Sequence, residues 1–554
     1  MSAKKTIKQK FNVIISILFL VTTTIFGSAA FAKTVITIGT TSATKSSNPF
    51  VEYSVAYYGA FRMTYDTLQI PASDGKTANS IAVDTKRSTD GLTYTVKIRK
   101  DAMFQDGKPL TAEDVAFSYN YIITNEIGTY TQYTAPVKVV KVIDAYTVAF
   151  KLKEAINSGW LDQNTFLWVP MLPKHIWSKI SKKDALGKLS VDKLIGSGPF
   201  YLSEFEADHF MRLTVTESGR RLFNPAFDEV IIKQYANDSA MLQDFKVGNI
   251  HIVPGLPEKS VPMIKNMKDV VVKMFPAYWF DEVIINSWKH AYKENRKKHP
   301  HPALKDLEIR KALDWTLNEK LAAKVAHGNY SIPGAAHMLP TGYGKYCNTD
   351  LPLRGYDIEK AKKILAAAGY KDTDDDGILE TKDGLALDFD VWIPSSKTHE
   401  VDVATIWARE AKKVGIKMNI SAMDGDTLWA KMSPSGGYDI ALWNWGGYAD
   451  PDYLLSVLTS ANAVDGGWSD SGFQNPEFDK LYKQQRVAKT LEDRYKIVWK
   501  MQEILYNEMP YLVFNYWGDI GAINTARASG NIALSETNDG MWTRDFVLSL
   551  KPLK

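Results

Sequence analysis

Apolar and polar residues alternate along three early stretches, "TVITIGTT" (34–41), "LTYTVKIR" (92–99) and "AYTVAFKL" (145–152). A period of two predicts a half-buried strand in each. Elsewhere the period is helical. Thr111 precedes "AEDVAFSYNYI" with Asp114 three positions on, close to a capping box. Asp357 opens "IEKAKKILAAA", and Gly369 follows it as a left-handed cap. Between Thr490 and Pro510, Ile497, Met501, Ile504 and Leu505 recur at i, i+4, i+7 and i+8, which buries one face of an amphipathic helix. "YLVFNYW" then reads as a strand, and so does "YDIALWNW" (438–445), which runs into the loop "GGYADPD". Strands and helices mix along the whole chain, with no solenoid repeat and no low-complexity linker. Such mixed α/β order fits a multi-lobed binding protein and also a secreted hydrolase.

The N-terminus bears on the compartment. "MSAKKTIKQK" is basic, "FNVIISILFLVTTTIF" is apolar, and "GSAAFAK" supplies small residues at Ala30 and Ala32. This is the pattern of a signal peptide over 1–32, cleaved before Lys33. Removing its four lysines from 67 Lys+Arg leaves 63, balanced by 63 Asp+Glu. A neutral mature chain argues against nucleic acid or an anionic membrane as partner. The lysine-rich "KHAYKENRKKHPH" (289–301) reads as a solvated loop. Cys347 is the only cysteine, so there is no intramolecular disulfide, no thiolate metal cluster and no lipid anchor after the signal region. A soluble, monomeric protein of the periplasm is expected. At 522 residues after cleavage of the 554, the chain holds more than one core.

Enzyme signatures fail in turn. "GSGPF" (196–200) lacks the spacing of a nucleophile elbow, there is no H-E-x-x-H or phosphate loop, and the nine histidines are scattered. Asp450 and Asp452 are a carboxylate pair of the kind a glycosidase uses, a pairing common on surfaces too. One ion motif stands out. "DTDDDGILETKD" (372–383) puts Asp372, Asp374 and Asp376 at positions 1, 3 and 5, Gly377 at 6, the Ile378 carbonyl at 7, Glu380 at 9 and Asp383 at 12. That is calcium-loop spacing, with a shorter acid than usual at the last position. It reads either as an acidic turn without metal or as a structural calcium site; no cofactor is required.

"GLTYTVKIRKDAMFQDGKPLTAEDVAFSYNYI" (91–122), with Phe104 to Val115 as its core, resembles the large extracytoplasmic solute-binding proteins of ABC importers. These form the oligopeptide/dipeptide/nickel-binding family. "GSGPFYLSEF" (196–205), "VGNIHIV" (247–253), "ALKDLEIRKALDWTLNEKLAAKVAHG" (303–328), "YDIEKAKKILAAAGY" (356–370), "YADPDYLLSVLTS" (448–460) and "NPEFDKLYKQQ" (475–485) follow in the family's order. The resemblance implies an α/β two-domain periplasmic-binding-protein clamshell of the large three-lobed type, with mixed sheets and a hinge. It places a first domain at 33–286 with 80–195 as its smaller lobe, a second at 287–520 and a return at 521–554, with crossings near Ser287 and Gly521. Ligand would bind between the domains, and the closed form would be recognised by the permease.

In peptide-binding relatives an aspartate soon after the tryptophan matching Trp445 pairs with the peptide's α-amino group. Here Gly446, Gly447 and Tyr448 follow, and Asp450 is the nearest acid, placed before Pro451 as in a turn. Trp445 and Tyr448 offer flat faces, the glycines permit close approach of a ligand, and Trp443 shares Trp445's side of the strand. Trp279, Trp429 and Trp468 are further ring candidates. The expectation is therefore a receptor for a small peptide, with an oligosaccharide as the alternative, nickel or haem behind these, and a secreted hydrolase as the remote reading. If Trp445 is a cleft ring, Trp445→Ala weakens binding and leaves the empty protein's melting temperature unchanged.

Overall fold

Three sheets carry the architecture. The computed structural model describes residues 33–553 apart from 53, 73–75, 129, 287–299, 335–337, 433–436, 448–449, 465–466, 536 and 538. The signal segment 1–32, the expected crossing at Ser287 and most of the lysine-rich 289–301 lie outside the described residues. Val35–Lys554 form one compact unit.

The first sheet has seven strands, in the order Val270–Met274, Ile520–Asn524, Ile252–Val253, Val35–Thr40, Glu229–Gln234, Phe210–Val215, Phe200–Glu206. Val35–Thr40 is parallel to Glu229–Gln234, with Ile36 opposite Val230 and Ile38 opposite Ile232. Ile36 and Ile38 are buried while Val35 and Thr37 are half-buried, as the alternating pattern predicts. A four-stranded antiparallel sheet, Ala82–Arg87, Thr93–Ile98, Thr147–Leu152, Val137–Asp144, falls within 80–195. It packs on the helix Ala112–Asn125, whose Thr111 N–H donates to Asp114 Oδ2 at 3.0 Å. The third sheet orders Ser331–Pro333, Tyr511–Trp517, Trp279–Ile285, Ile440–Gly446, Asp388–Pro394, Lys417–Met423.

The chain changes sheet between Met274 and Trp279 and again between Trp517 and Ile520. The second lies beside the expected Gly521, and the first comes before the expected Ser287. "WFDEVII", strand-like despite its two acids, pairs on both sides in the third sheet, with Phe280 between Trp445 and Tyr516. Helix signals translate closely. Ile358–Ala368 is capped by Asp357 and by Gly369 at φ 91°. Leu491–Glu508 starts at Thr490 and ends in left-handed Met509, just before Pro510. Of the face the periodicity marks, Met501 and Leu505 are buried, while Ile497 and Ile504 are half-buried against the same core and Val498 joins the buried side.

Candidate functional site: a cleft between the two halves

The two crossings, 275–278 and 518–519, form the floor of a chamber of about 280 Å³. One wall is the helix Val55–Thr64, capped by Ser54, on which Tyr58 and Arg62 stand one turn apart. Trp168 lies beneath the Arg62 guanidinium, 4.5 Å from ring centroid to Cζ. Trp279 and Gly447 contribute from the other half, and Asp519, Asp539 and Trp542 complete the lining.

Charge is placed sparingly here. Arg62 is buried; its Nε donates to Asp539 Oδ2 at 3.1 Å and its Nη1 to the Leu167 carbonyl at 2.8 Å. Nη2 is buried without a partner. A guanidinium N–H in that state forfeits a charge-assisted bond. Asp519 is open to the chamber, and the surrounding protein, by desolvation, pushes its carboxyl up to about 6. No side-chain bond of Asp519 offsets this among the described residues.

A second, larger chamber of about 540 Å³ lies between Lys76, Thr77, Gly159, Asp162 and Gln163 on one side and Tyr343–Tyr346, Leu491 and Tyr495 on the other. Burial pushes Asp162 up to about 7, against a 2.9 Å bond from Gln69 Nε2. Beside it the halves are fastened directly. Trp160 Nε1 donates to Asp452 Oδ2 at 2.8 Å, and Asn157 Nδ2 donates to the Ala488 carbonyl at 2.6 Å.

The residues singled out from sequence scatter. Trp279 lines the hinge-side chamber, 37% exposed, stacked on Trp517 at 5.3 Å. Gly447 lines it too, and a Cβ there would meet the Tyr343 hydroxyl. Gly446 serves Trp279 instead of a ligand: an added Cβ would lie 2.1 Å from that ring. Tyr448 lies outside the described residues. Trp443 and Trp429 are half-buried and 5.9 Å apart, and neither lines a chamber described above. Trp468 is 57% exposed, away from both.

Two expectations need correction. Trp445 is not an open cleft ring: it is buried in the core of the second half, and its Nε1 donates to Asp470 Oδ2 at 2.8 Å. Trp445→Ala is therefore expected to lower the stability of the empty protein by about 3–5 kcal/mol. Thermal melting without ligand checks this; an unchanged melting temperature would return the ring to the cleft. Asp450 is not a substitute anchor either. It is fully buried, with Arg494 Nη1 2.6 Å from Oδ2 and Nη2 2.8 Å from Oδ1. Burial, helped by the neighbouring Asp452 charge, pushes the Asp450 carboxyl up, and the guanidinium opposes this. Its neighbour Asp452 is taken by Gln485, Trp160 and Tyr482, so the pair offers no free catalytic carboxylates.

In the Asp-rich loop, donor atoms of Asp372, Asp374, Asp376 and Glu380 lie within 4.8 Å of one another. Gly377 takes φ 86°, and its N–H donates to Asp372 Oδ2 at 2.9 Å. Glu380 is buried and accepts from Thr373 N at 2.7 Å; the Ile378 side chain is buried, and Asp383 is exposed outside the group. None of them lines either chamber.

Arg62, Trp168, Asp519 and Trp542 escaped the sequence reading. Arg62 alone left a signal, as the one charge in the otherwise apolar "VAYYGAFRMT".

Comparison with known proteins adds the context. The family model described as "Bacterial extracellular solute-binding proteins, family 5 Middle" matches residues 76–466. Oligopeptide-binding protein AppA of Bacillus subtilis is 28% identical over 449 residues, covering 79% of this chain and 78% of its own. The solved structure of AppA with a nonapeptide has a TM-score of 0.71 at 23% identity, covering 94% of this chain and 99% of its own. A periplasmic oligopeptide-binding protein of an ABC transporter from Thermotoga maritima has a TM-score of 0.78 at 20% identity, covering 94% and 99%. The fold is that of the two-domain periplasmic binding proteins. No helix among the described residues is long and apolar enough to cross a membrane.

Proposed function

The chain belongs to family 5 of the bacterial extracellular solute-binding proteins, and from that premise we propose that it captures a short peptide between its halves and delivers it to an ABC importer permease. One observation carries the ligand class. The hinge-side chamber is walled by Tyr58, Trp168, Trp279 and Trp542 and holds two groups of opposite charge whose bonding is incomplete, Asp519 and Arg62. A peptide supplies an ammonium, a carboxylate and apolar side chains to match. At about 280 Å³ the chamber sits at the small end of ligand cavities, roughly 300–1,000 Å³, which favours a short ligand or one end of a longer one.

In this reading the protein is a monomer of the periplasm, exported through its N-terminal signal, and it binds without turnover. Rings stacked around a cleft also suit the apolar faces of sugars, and the missing acid after Trp445 keeps an oligosaccharide as the second reading. Native mass spectrometry after mixing with a panel of dipeptides to pentapeptides and of oligosaccharides tests the choice. The expected result is a complex heavier by one intact peptide. Complexes with saccharides alone would overturn the peptide class.

The Asp-rich loop enters this proposal as a structural calcium site that stiffens the turn after the helix Ile358–Ala368. Calcium at about 1 mM, in the range of extracellular sites, is expected to raise the melting temperature, and Asp374→Asn to remove the rise. Equal melting in calcium and in chelator would remove the ion from the account.

A further inference from the structure

Where the chain crosses between its halves, a second cluster stands behind the cleft wall, and none of its members lines a chamber. Asp281 sits on the strand Trp279–Ile285, which is paired on both edges and packed on both faces, so that Asp281 and Glu282, pointing to opposite faces, are both fully buried. His327 ends the helix Glu319–His327, and His399 lies in the first turn of Thr398–Lys412. One donor atom from each of Asp281, His327 and His399 lies within 4.8 Å of the others. His327 Nε2 is 3.0 Å from Asp281 Oδ2, and His327 Nδ1 is 2.5 Å from Glu258 Oε1, which comes from the other half of the molecule. Asn515 Nδ2 and Trp517 Nε1 donate to Asp281 at 2.8 and 3.1 Å. His399 Nε2 is buried without a partner, and Glu400 beside it is fully buried with neither oxygen paired.

We infer that Asp281, His327 and His399 form a binding site for one divalent transition-metal ion at the junction of the two halves. Two imidazoles and a carboxylate are the donor set that borderline ions such as zinc take, with a fourth position left to water or another oxygen. Donors about 2.0–2.1 Å from a tetrahedral ion stand ~3.3 Å apart, close to the His327–Asp281 separation, so the ion would replace the proton that now bridges them. Glu258 would hold the other ring nitrogen of His327, the carboxylate–histidine–metal arrangement that fixes a ligand's tautomer and raises its basicity. The orphan nitrogen argues in the same direction, since a buried His399 Nε2 without a partner is costly unless something binds it.

The cluster also touches the cleft wall: His327 stacks on Trp517 at 5.0 Å, and Trp517 stacks on Trp279.

The probe is Zn²⁺ alone, titrated calorimetrically into tag-free, chelator-stripped full-length protein, with stoichiometry read by native mass spectrometry. One zinc per chain is expected. His399→Ala, at a half-buried side chain whose Nε2 bonds to nothing, should keep the fold and weaken zinc binding at least tenfold. Asp374→Asn combined with Asp376→Asn, in the Asp-rich loop, should leave zinc stoichiometry unchanged. Co²⁺ in place of Zn²⁺ should quench tryptophan emission through Trp517, and His399→Ala should remove that quenching. No stoichiometric zinc, unchanged affinity in folded His399→Ala, or loss of zinc in the Asp-rich-loop variant would each overturn the site.

Discussion

Asp519→Asn is expected to weaken binding of short peptides with a free N-terminus by about 10- to 100-fold at pH 7.5. The magnitude follows from a charge-assisted bond worth about 1.5–3 kcal/mol, at tenfold for each 1.4 kcal/mol. The same carboxylate sets the pH dependence. In the empty cleft, desolvation pushes Asp519 up to about 6, so it is ionised at pH 7.5 and takes up a proton as pH falls through 6. A bound ammonium favours the ionised form and pulls that pKa down. Affinity is therefore flat above about pH 7 and declines below 6, by up to tenfold per unit.

Stability of the empty protein runs the other way. Because the folded pKa is raised above the unfolded value, the ionised carboxylate opposes folding above about pH 4, most fully above 6, and Asp519→Asn should melt no lower than the parent. Calorimetric titration from pH 5 to 8, with N-acetylated peptides as the matching deletion on the ligand, checks this. Additive losses from the two changes, or a destabilised empty variant, would assign Asp519 to the structure instead of the ligand.

The second large effect concerns stability. Arg494→Ala strips the buried Asp450 of both its guanidinium bonds, leaving only the Asp452 N–H at 2.8 Å, and also removes donors to Gln485 Oε1 at 2.7 Å and the Tyr346 hydroxyl at 2.9 Å. Breaking one member of a buried pair leaves an uncompensated charge, at a cost of about 3–5 kcal/mol. Burial disfavours the charged form of Arg494, yet the Asp450 charge overrides this and keeps the guanidinium firmly protonated, so acidification acts through Asp450 alone. Asp450→Asn should fall in the same range, and the double variant should lose less than the two together. Denaturant unfolding measures all three. An Asp450→Asn protein with an unchanged midpoint but no peptide binding would return Asp450 to the ligand site. The pair matters to the cleft indirectly: Tyr346 and the start of the helix Leu491–Glu508 form one side of the larger chamber.

The local grammar of this chain was readable. The Thr111 box, the Asp357 and Gly369 caps and the buried stripe of the helix Leu491–Glu508 depend only on neighbours a turn away. The two-half organisation was readable through the family's motifs, since strand pairing joins residues as distant as Val271 and Ile523. The site was harder to read, for a definite reason. Trp445 in "WNWGG" has the look of an exposed ring, but exposure depends on what stands opposite. Asp470 takes its N–H, and Tyr511 donates its hydroxyl to the same carboxylate. Conversely, Asp519 in "YWGDIG" looks like a turn acid until the crossings at 275–278 and 518–519 are brought side by side, where Phe275 N–H meets the Asp519 carbonyl at 2.9 Å. Arg62 and Asp539 meet across most of the chain, beyond any local pattern.

Small-angle scattering with and without cargo, followed by mass analysis of the released material, tests the central claim most directly. The account predicts a smaller radius of gyration on adding a peptide that binds, reversal on its removal, and recovery of that peptide at its original mass. An unchanged profile with peptide bound, or a peptide returned cleaved, would contradict it.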